Sequence, residues 1–385
     1  MKNIEELNSS LKEIKEVGDT LNTEVYVVKN KNNIVAKFKW VFKVGENLPE
    51  LIEDIGLPSW ASVDFVNWVS SRTSAKHREK VKRYLEQIGL TDVKSIIDMT
   101  YGLSLNDSLW IVKERSNLVW EEVNLYNNEF SEVISRIAFT GGLRGLGFST
   151  TVPELSTNGV QEKCWVRMNS EIVLLKEGSE GFANTGNEPY SEVMASQVLD
   201  KLGYNHVKYK LLNYHKKVVS CCKLFTTEDI GFVSFSGMYG PLIFNNILLK
   251  VEEAGLLREF CEMMILDYII FNPDRHLNNF GFLVDNNTYD ILGFAPLFDH
   301  GYAMLNFWMV QEDIDEYIKG KYPSLSDDTF EDVAKRCKNL IGNTHNVESL
   351  INFKFDKSKL GDCGQDRIDK IEKFINARVN SFLSW

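Results

Sequence analysis

The sequence lacks any apolar run near the roughly 20 residues that a membrane-spanning helix needs, so no membrane partner is expected. Its opening stretch, MKNIEELNSSLKEIKEVGD, is polar and mixed in charge, without the apolar core of a secretory leader. The six cysteines, Cys164, Cys221, Cys222, Cys261, Cys337 and Cys363, form no C-x-x-C pair and no zinc-type spacing. They read as reduced, buried thiols, which places the chain in the cytoplasm. Positive charge is in deficit. A net charge of −11 repels phosphate backbones at long range, so no direct nucleic-acid partner is expected. One basic cluster, Arg72, Lys76, Arg78, Lys80, Lys82 and Arg83, is expected to fan around a solvated helix face. There is no internal repeat and no low-complexity tract.

What is present is a globular composition, 44% hydrophobic and 25% charged over 385 residues, which suits two or three packed subdomains. Residues 1–145 read as an N-terminal α/β subdomain. Ala36, Phe38, Trp40 and Phe42 alternate with Lys37, Lys39 and Val41, the signature of a half-buried hairpin strand whose partner spans 23–28. Helices are expected over 60–71, with Ser59 as N-cap, over 75–88 ending at Gly89, and over 131–139. A strand region is expected over 103–114. Residues 146–225 read as a small antiparallel sheet, with strands at 163–168, 171–176, 209–212 and 218–225. One helix over 189–202 is stopped by Gly203. Residues 226–385 read as mainly helical. The apolar stretch 256–271 is expected to be a central buried helix, and Ile368, Ile371, Ile375, Val379 and Phe382 lie at helical spacing near the end. The fold class is therefore α+β: a small β lobe, a helical lobe and a cleft between them.

The strongest chemical signal is Asp274-Arg275-His276-Leu277-Asn278-Asn279, followed by Pro296-Leu297-Phe298-Asp299-His300. Phosphoryl transfer needs a carboxylate beside the attacking hydroxyl and oxygen ligands that hold Mg²⁺ on the nucleotide phosphates. Protein kinases place an Asp base and an Asn metal ligand five positions apart, then a second metal-binding Asp further on. Asp274, Asn279 and Asp299 reproduce that pattern. A surface turn also accounts for Asn-Pro-Asp taken alone, but three features add to it. Lys176 closes the apolar strand Ile172–Leu175, where it can neutralise phosphates. The loop Ser156-Thr157-Asn158-Gly159-Val160-Gln161, with Lys163 after it, brings small residues and a glycine to the start of a strand, where backbone N–H groups can approach phosphate. The third feature is order: phosphate loop, strand lysine, helix with an acid (Glu192, a candidate partner of Lys176), linker strand, catalytic loop, metal aspartate.

These four motifs resemble those of HipA-type serine/threonine kinases, the toxin kinases of bacterial toxin–antitoxin systems. The resemblance rests on 156–163, on Leu175-Lys176, on Asp274-x-His276-x-x-Asn279 and on Pro296–Asp299, and covers roughly 150–305. It implies a bilobed protein-kinase-like fold and an enzyme that uses ATP and Mg²⁺ on a protein hydroxyl. Asp274 would be the catalytic base, with His276 shaping its loop. Asn279 and Asp299 would bind Mg²⁺ and Lys176 the phosphates. Cys222, Lys223 and Leu224 fall where the family's hinge meets adenine. Ser156 matches a serine that such kinases autophosphorylate, with Thr157 beside it. A phosphate there would weaken nucleotide binding by adding roughly −1.5 to −2 charge. A cognate antitoxin protein is the partner implied. The first 145 residues match no family motif; the segment 120–126, rich in aromatic and acidic groups, reads as packing that orients the sheet lobe.

Three other readings compete. A phosphoinositide-type lipid kinase shares the Asp-Arg-His-x-x-Asn loop, but the acidic residues Glu312, Asp313, Asp315 and Glu316 would repel anionic lipid. A catalytically inactive nucleotide-binding module is disfavoured by the complete set Lys176, Asp274, Asn279 and Asp299. A metal-dependent hydrolase built from Asp274, His276, Asp299 and His300 leaves Lys176 without a role.

Overall fold

Alternation decides the first sheet. In the computed structural model, which describes residues 24–43, 45–73, 85–86, 89–130, 163–179, 186–306, 314–319, 322–326 and 328–385, β1 (Val25–Asn30), β2 (Asn33–Lys43), β3 (Glu46–Asp54) and β4 (Leu109–Lys113) form an antiparallel sheet in the order β3-β2-β1-β4. Side chains alternate between its two faces. Tyr26, Val28, Ala36, Phe38 and Trp40 bury into one core, and Val27, Trp110 and Val112 into another. Phe42, expected to continue the buried row, is 71% exposed because β2 outruns the core at that end. The strand β3 was not expected from the sequence. The helix expected over 60–71 is broken into α1 (Ser59–Ser62) and α2 (Phe65–Ser71). Asp64, which accepts from the Asn67 amide at 3.3 Å, caps the second piece. Ser59 is the first helical residue and the cap position is Pro58.

Two further helices among the described residues of this region are α3 (Val93–Thr100) and α4 (Trp120–Val123). Arg72, expected on a solvated face, is instead buried. Its guanidinium lies 2.7 Å from Asp107 and stacks over the Trp68 ring. The other members of that basic cluster, the helix expected over 131–139 and most of the one expected over 75–88 lie outside the described residues.

The second sheet follows its expectation closely. β5 (Lys163–Met168), β6 (Glu171–Glu177), β7 (Tyr209–Tyr214) and β8 (Lys217–Lys223) pair antiparallel in the order β5-β6-β8-β7. Asn169 and Ser170 both have positive φ, the two-residue turn that matches strand twist. The helix α5 (Glu188–Leu202) ends on Gly203 at φ +75°, where a glycine carries no Cβ penalty. One face of the sheet buries Cys164, Val173, Leu175, Val219 and Cys221.

The remainder contains α6 (Phe235–Tyr239), α7 (Phe244–Glu253), α8 (Leu257–Ile270), α9 (Ile314–Lys319), α10 (Phe330–Ile341) and α11 (Gln365–Ser384). It also holds a sheet missed in the sequence, β11-β10-β9, from β9 (Ile230–Ser234), β10 (Gly281–Asp285) and β11 (Ile291–Phe294). These strands are short and β9 pairs with a distant segment, so local periodicity carries little of the signal. Gly281 permits the pairing: a Cβ there would come 2.7 Å from the Ser234 Cα. α5, α8 and α11 contribute to one shared core, and α8 is buried at every position from Phe260 to Ile270.

Candidate functional site

The site is built outward from a charge inside an apolar helix. Asp267 on α8 has no exposed surface. A buried carboxylate must find partners, and it finds Arg275, whose Nε and Nη2 donate to its two oxygens at 2.8 and 3.0 Å. Asn272 adds a third hydrogen bond at 2.9 Å. α8 stops at Phe271, which takes a left-handed conformation (φ +51°) and turns the chain into the loop 272–280. Arg275 has one more nitrogen to place. Its Nη1 donates to the carbonyl of Asn279 at 2.7 Å and to that of Phe298 at 3.2 Å. One guanidinium therefore ties the loop to the segment that precedes Asp299. Within the loop, Asn279 Nδ2 donates to the Asp274 carbonyl at 3.0 Å. The His276 ring accepts from the Asn278 amide at 3.2 Å, which shapes the turn.

Opposite this loop stands Lys176 at the end of β6. Its Nζ lies 2.5 Å from Glu192 Oε1 on α5 and 2.5 Å from Asp299 Oδ1. The other Glu192 oxygen accepts from the His300 amide at 3.0 Å. Lys176 and Glu192 are nearly inaccessible, whereas the Asp299 side chain keeps 30% of its surface. Cross-strand pairing sets Lys163 directly beside Lys176, and both are buried. Asp299 itself has φ +61°, a region sparsely used by non-glycine residues. Tyr209 supports it from β7, its hydroxyl accepting from the Asp299 amide at 3.4 Å.

The electrostatics follow from this geometry. Burial pulls the Lys176 ammonium down, but Asp299 and Glu192 outweigh it and hold the lysine above its ordinary value. Burial also works against the Asp299 carboxylate, yet Lys176 and Lys163 keep it well below the usual range. Glu192 moves the other way. Burial and the neighbouring Asp299 raise it against the pull of Lys176. Lys176 and Asp299 thus form the firmly ionised pair, and Glu192 bears the cost of the shared site. Asp274 is raised, first by burial, with Asp299 adding to it. Among the described residues no side-chain hydrogen bond or ion pair engages its carboxylate, which leaves that group available to a hydroxyl.

Lys176, Glu192, Asp274, Asn279, Asp299 and Lys163 therefore meet in one place. Cys222 is buried at the end of β8, and the Leu224 amide donates to the Ile172 carbonyl at 2.9 Å. The Lys223 side chain is exposed and pairs with Glu171. Ser156, Thr157, Asn158, Gly159, Val160 and Gln161 lie outside the described residues. Sequence reasoning overlooked Asp267 as Arg275's partner, although a lone carboxylate inside the apolar run 263–271 is itself a signal that a cation must be near. Tyr209 carried no such signal.

Among the described residues no group of three or more His, Cys, Asp or Glu side chains could enclose a metal ion. Mg²⁺ does not require one, since it is held by one or two side chains while nucleotide phosphates and water complete its shell. The donors present fit that demand. Asp299 offers a partly exposed carboxylate, and Asn279 has its amide nitrogen engaged, so its Oδ1 is the atom left for a cation.

Comparison with known proteins gives the family. A family model described as the HipA-like C-terminal domain matches residues 155–352. The serine/threonine-protein kinase CtkA of Helicobacter pylori is 29% identical over 133 residues, which cover 30% of this chain and 40% of that protein's length. The HipA–HipB–operator DNA complex of Shewanella oneidensis MR-1 contains a chain that matches in fold with a TM-score of 0.57 at 13% identity, covering 94% of this chain and 98% of that one. With the match spanning half of its length and taking in the whole Lys176–Asp299 constellation, the chain belongs to the HipA-like family.

Proposed function

We propose that the protein is a serine/threonine protein kinase that transfers the γ-phosphoryl group of ATP to a protein hydroxyl with Mg²⁺. The observation that carries this reading is the buried Lys176 bridging Glu192 and Asp299 opposite the Asp274–Asn279 loop. In this reading residues 146–225 are the nucleotide-binding lobe, 226–385 the catalytic lobe and 1–145 an added N-terminal subdomain.

Asp274 accepts the proton of the attacking hydroxyl, and its raised pKa suits a base. Lys176 presents a fixed positive charge to the phosphates. Glu192 keeps that ammonium on the cleft side of β6. Asn279 and Asp299 would hold Mg²⁺, which supplies charge neutralisation on the phosphate oxygens. Arg275 keeps the two ligands in register. The new O–P bond forms as the bond to ADP breaks, and the hydroxyl proton ends on Asp274.

Ser156 or Thr157 is the proposed site of autophosphorylation. A cognate antitoxin is the proposed partner and the cytoplasm the proposed location. All six cysteines are free thiols, which suits a reducing compartment, and no described helix is long and apolar enough to cross a membrane.

The test is incubation with labelled ATP and Mg²⁺, alone and with anionic lipid vesicles. Label on protein that disappears in Asp274→Ala and Asp299→Ala supports the proposal. Label on lipid alone would assign a lipid kinase, and nucleotide binding without transfer would assign an inactive module.

A further inference from the structure

The segment 224–229, which joins β8 to β9, is gripped by the N-terminal region. Thr226 Oγ1 donates to the Leu105 carbonyl at 2.5 Å, and the Phe232 amide donates to the Asn106 carbonyl at 2.7 Å. Both carboxylate oxygens of Glu228 are held, one by Trp120 Nε1 at 2.6 Å and one by Asn127 Nδ2 at 2.9 Å. Lys31 lies 2.7 Å from Asp229.

The grip extends to both sides of the segment. On β5, Arg167 Nη2 donates to the carbonyls of Leu125, Tyr126 and Asn128 at 3.0, 2.6 and 3.0 Å. On the other side, Asn30 Nδ2 donates to the Asn286 carbonyl at 2.5 Å and to the Tyr289 hydroxyl at 2.9 Å. Asn286 in turn donates to the Glu228 carbonyl at 3.1 Å. There is no slack at the crossing point, since a Cβ on Gly231 would come 2.7 Å from the Asn106 carbonyl oxygen.

We infer that the N-terminal region is a strap that fixes the angle between the nucleotide sheet and the catalytic loop, with Arg167 and Glu228 as its positioning residues. This rests on the kinase reading. Connecting segments are where hinge motion is absorbed, and 224–229 is one tie between these parts. Another is α5, which shares a core with α8 and α11, together with the Val207 amide, which donates to the Leu297 carbonyl at 3.0 Å. Here the angle cannot change without breaking hydrogen bonds that involve a guanidinium on one side and a carboxylate at the centre, and charge-assisted bonds are the strong ones. With α5, whose Glu192 holds both Lys176 and the His300 amide, the strap keeps Lys176 against Asp299 before nucleotide arrives. It thereby lowers the ordering cost of binding, the general advantage of a preorganised site. It also gives the N-terminal region a route to the site: whatever binds there acts on the linker.

The experiment compares wild type with Arg167→Met, Arg167→Lys, Glu228→Gln and Gly231→Ala, and with Lys43→Ala, an exposed change on the N-terminal sheet away from the linker. Affinity for a non-hydrolysable ATP analogue with Mg²⁺, KM and kcat, and hydrogen exchange at 224–232 are measured. Arg167→Met and Gly231→Ala are expected to speed exchange across the linker and to raise the analogue Kd and KM about tenfold with kcat less affected, the effect of losing one such set of bonds. Arg167→Lys recovers part of the affinity, and Lys43→Ala matches wild type. Unchanged exchange and unchanged Kd in both Arg167→Met and Gly231→Ala overturn the strap. If wild type binds no nucleotide, the kinase reading fails, and linker exchange decides the strap by itself.

Discussion

Two buried charge clusters lie on opposite sides of the same loop, and they differ in one respect. In the Asp267–Arg275 cluster both partners are almost wholly buried, and every guanidinium nitrogen is bonded to a carboxylate or carbonyl. In the Lys176–Glu192–Asp299 cluster the lysine and glutamate are buried, but Asp299 keeps 30% of its side chain open. The first cluster is closed and can only hold the backbone. The second is open on one side and can exchange a protein contact for a ligand. Burial of charge does not by itself identify a functional site; an incompletely enclosed charge beside a fully satisfied one is the more telling pattern.

The largest expected effect tests the closed cluster. Arg275→Met leaves Asp267 in the core with the Asn272 hydrogen bond but without its cation, and should cost about 3–5 kcal/mol in denaturant unfolding. The double change Asp267→Leu with Arg275→Met should recover much of that stability, because burying neither charge removes the penalty. No recovery would mean that the pair does more than hold the backbone.

The next effect tests the open cluster. Asp299→Asn keeps the shape but removes the charge, and should lower kcat about 10²–10³-fold while the melting temperature moves by a few degrees at most. A large stability loss with little change in kcat would reverse the contrast between the clusters.

Glu192→Gln sits between the two. It keeps the hydrogen bond to the His300 amide but weakens the hold on Lys176, so KM for ATP should rise about tenfold, as expected for one charge-assisted bond. A kcat effect as large as that of Asp299→Asn would place Glu192 among the groups that touch the phosphates.

The smallest effect concerns pH. Burial holds His345 and His206 below their ordinary value of 6.5. The unfolded chain then binds protons that the folded one refuses, so stability is full above about pH 6.5 and falls as pH drops below it. The slope cannot exceed about 1.4 kcal/mol per pH unit for each histidine. His345→Gln should flatten the slope, measured by chemical unfolding at pH 5 and pH 7.

Much of the candidate site was legible because the phosphoryl transfer proposed for it demands particular atoms in a particular order. Asp274, Asn279, Asp299 and Lys176 could be picked out by residue type and spacing, and the second sheet by its alternation and its Asn169-Ser170 turn. The β9–β10–β11 sheet was not legible, because each strand is short and β9 pairs with a segment about fifty residues away. The break between α1 and α2 was hidden in a continuous apolar pattern. Arg72 was misjudged because a basic run in sequence says nothing about Trp68 and Asp107 waiting beside one of its members.

The sequence by itself determined which chemical groups the protein owns and in what order the chain presents them, because residue type and local periodicity are properties of the string. The tertiary structure alone decided that Lys176 sits between Glu192 and Asp299, that Arg275 joins Asn279 to Phe298, and that residues from Asn30 to Asn128 close around the linker. Those contacts join segments more than a hundred residues apart or rest on a buried charge finding its partner, and such choices are made by packing and desolvation across the whole fold.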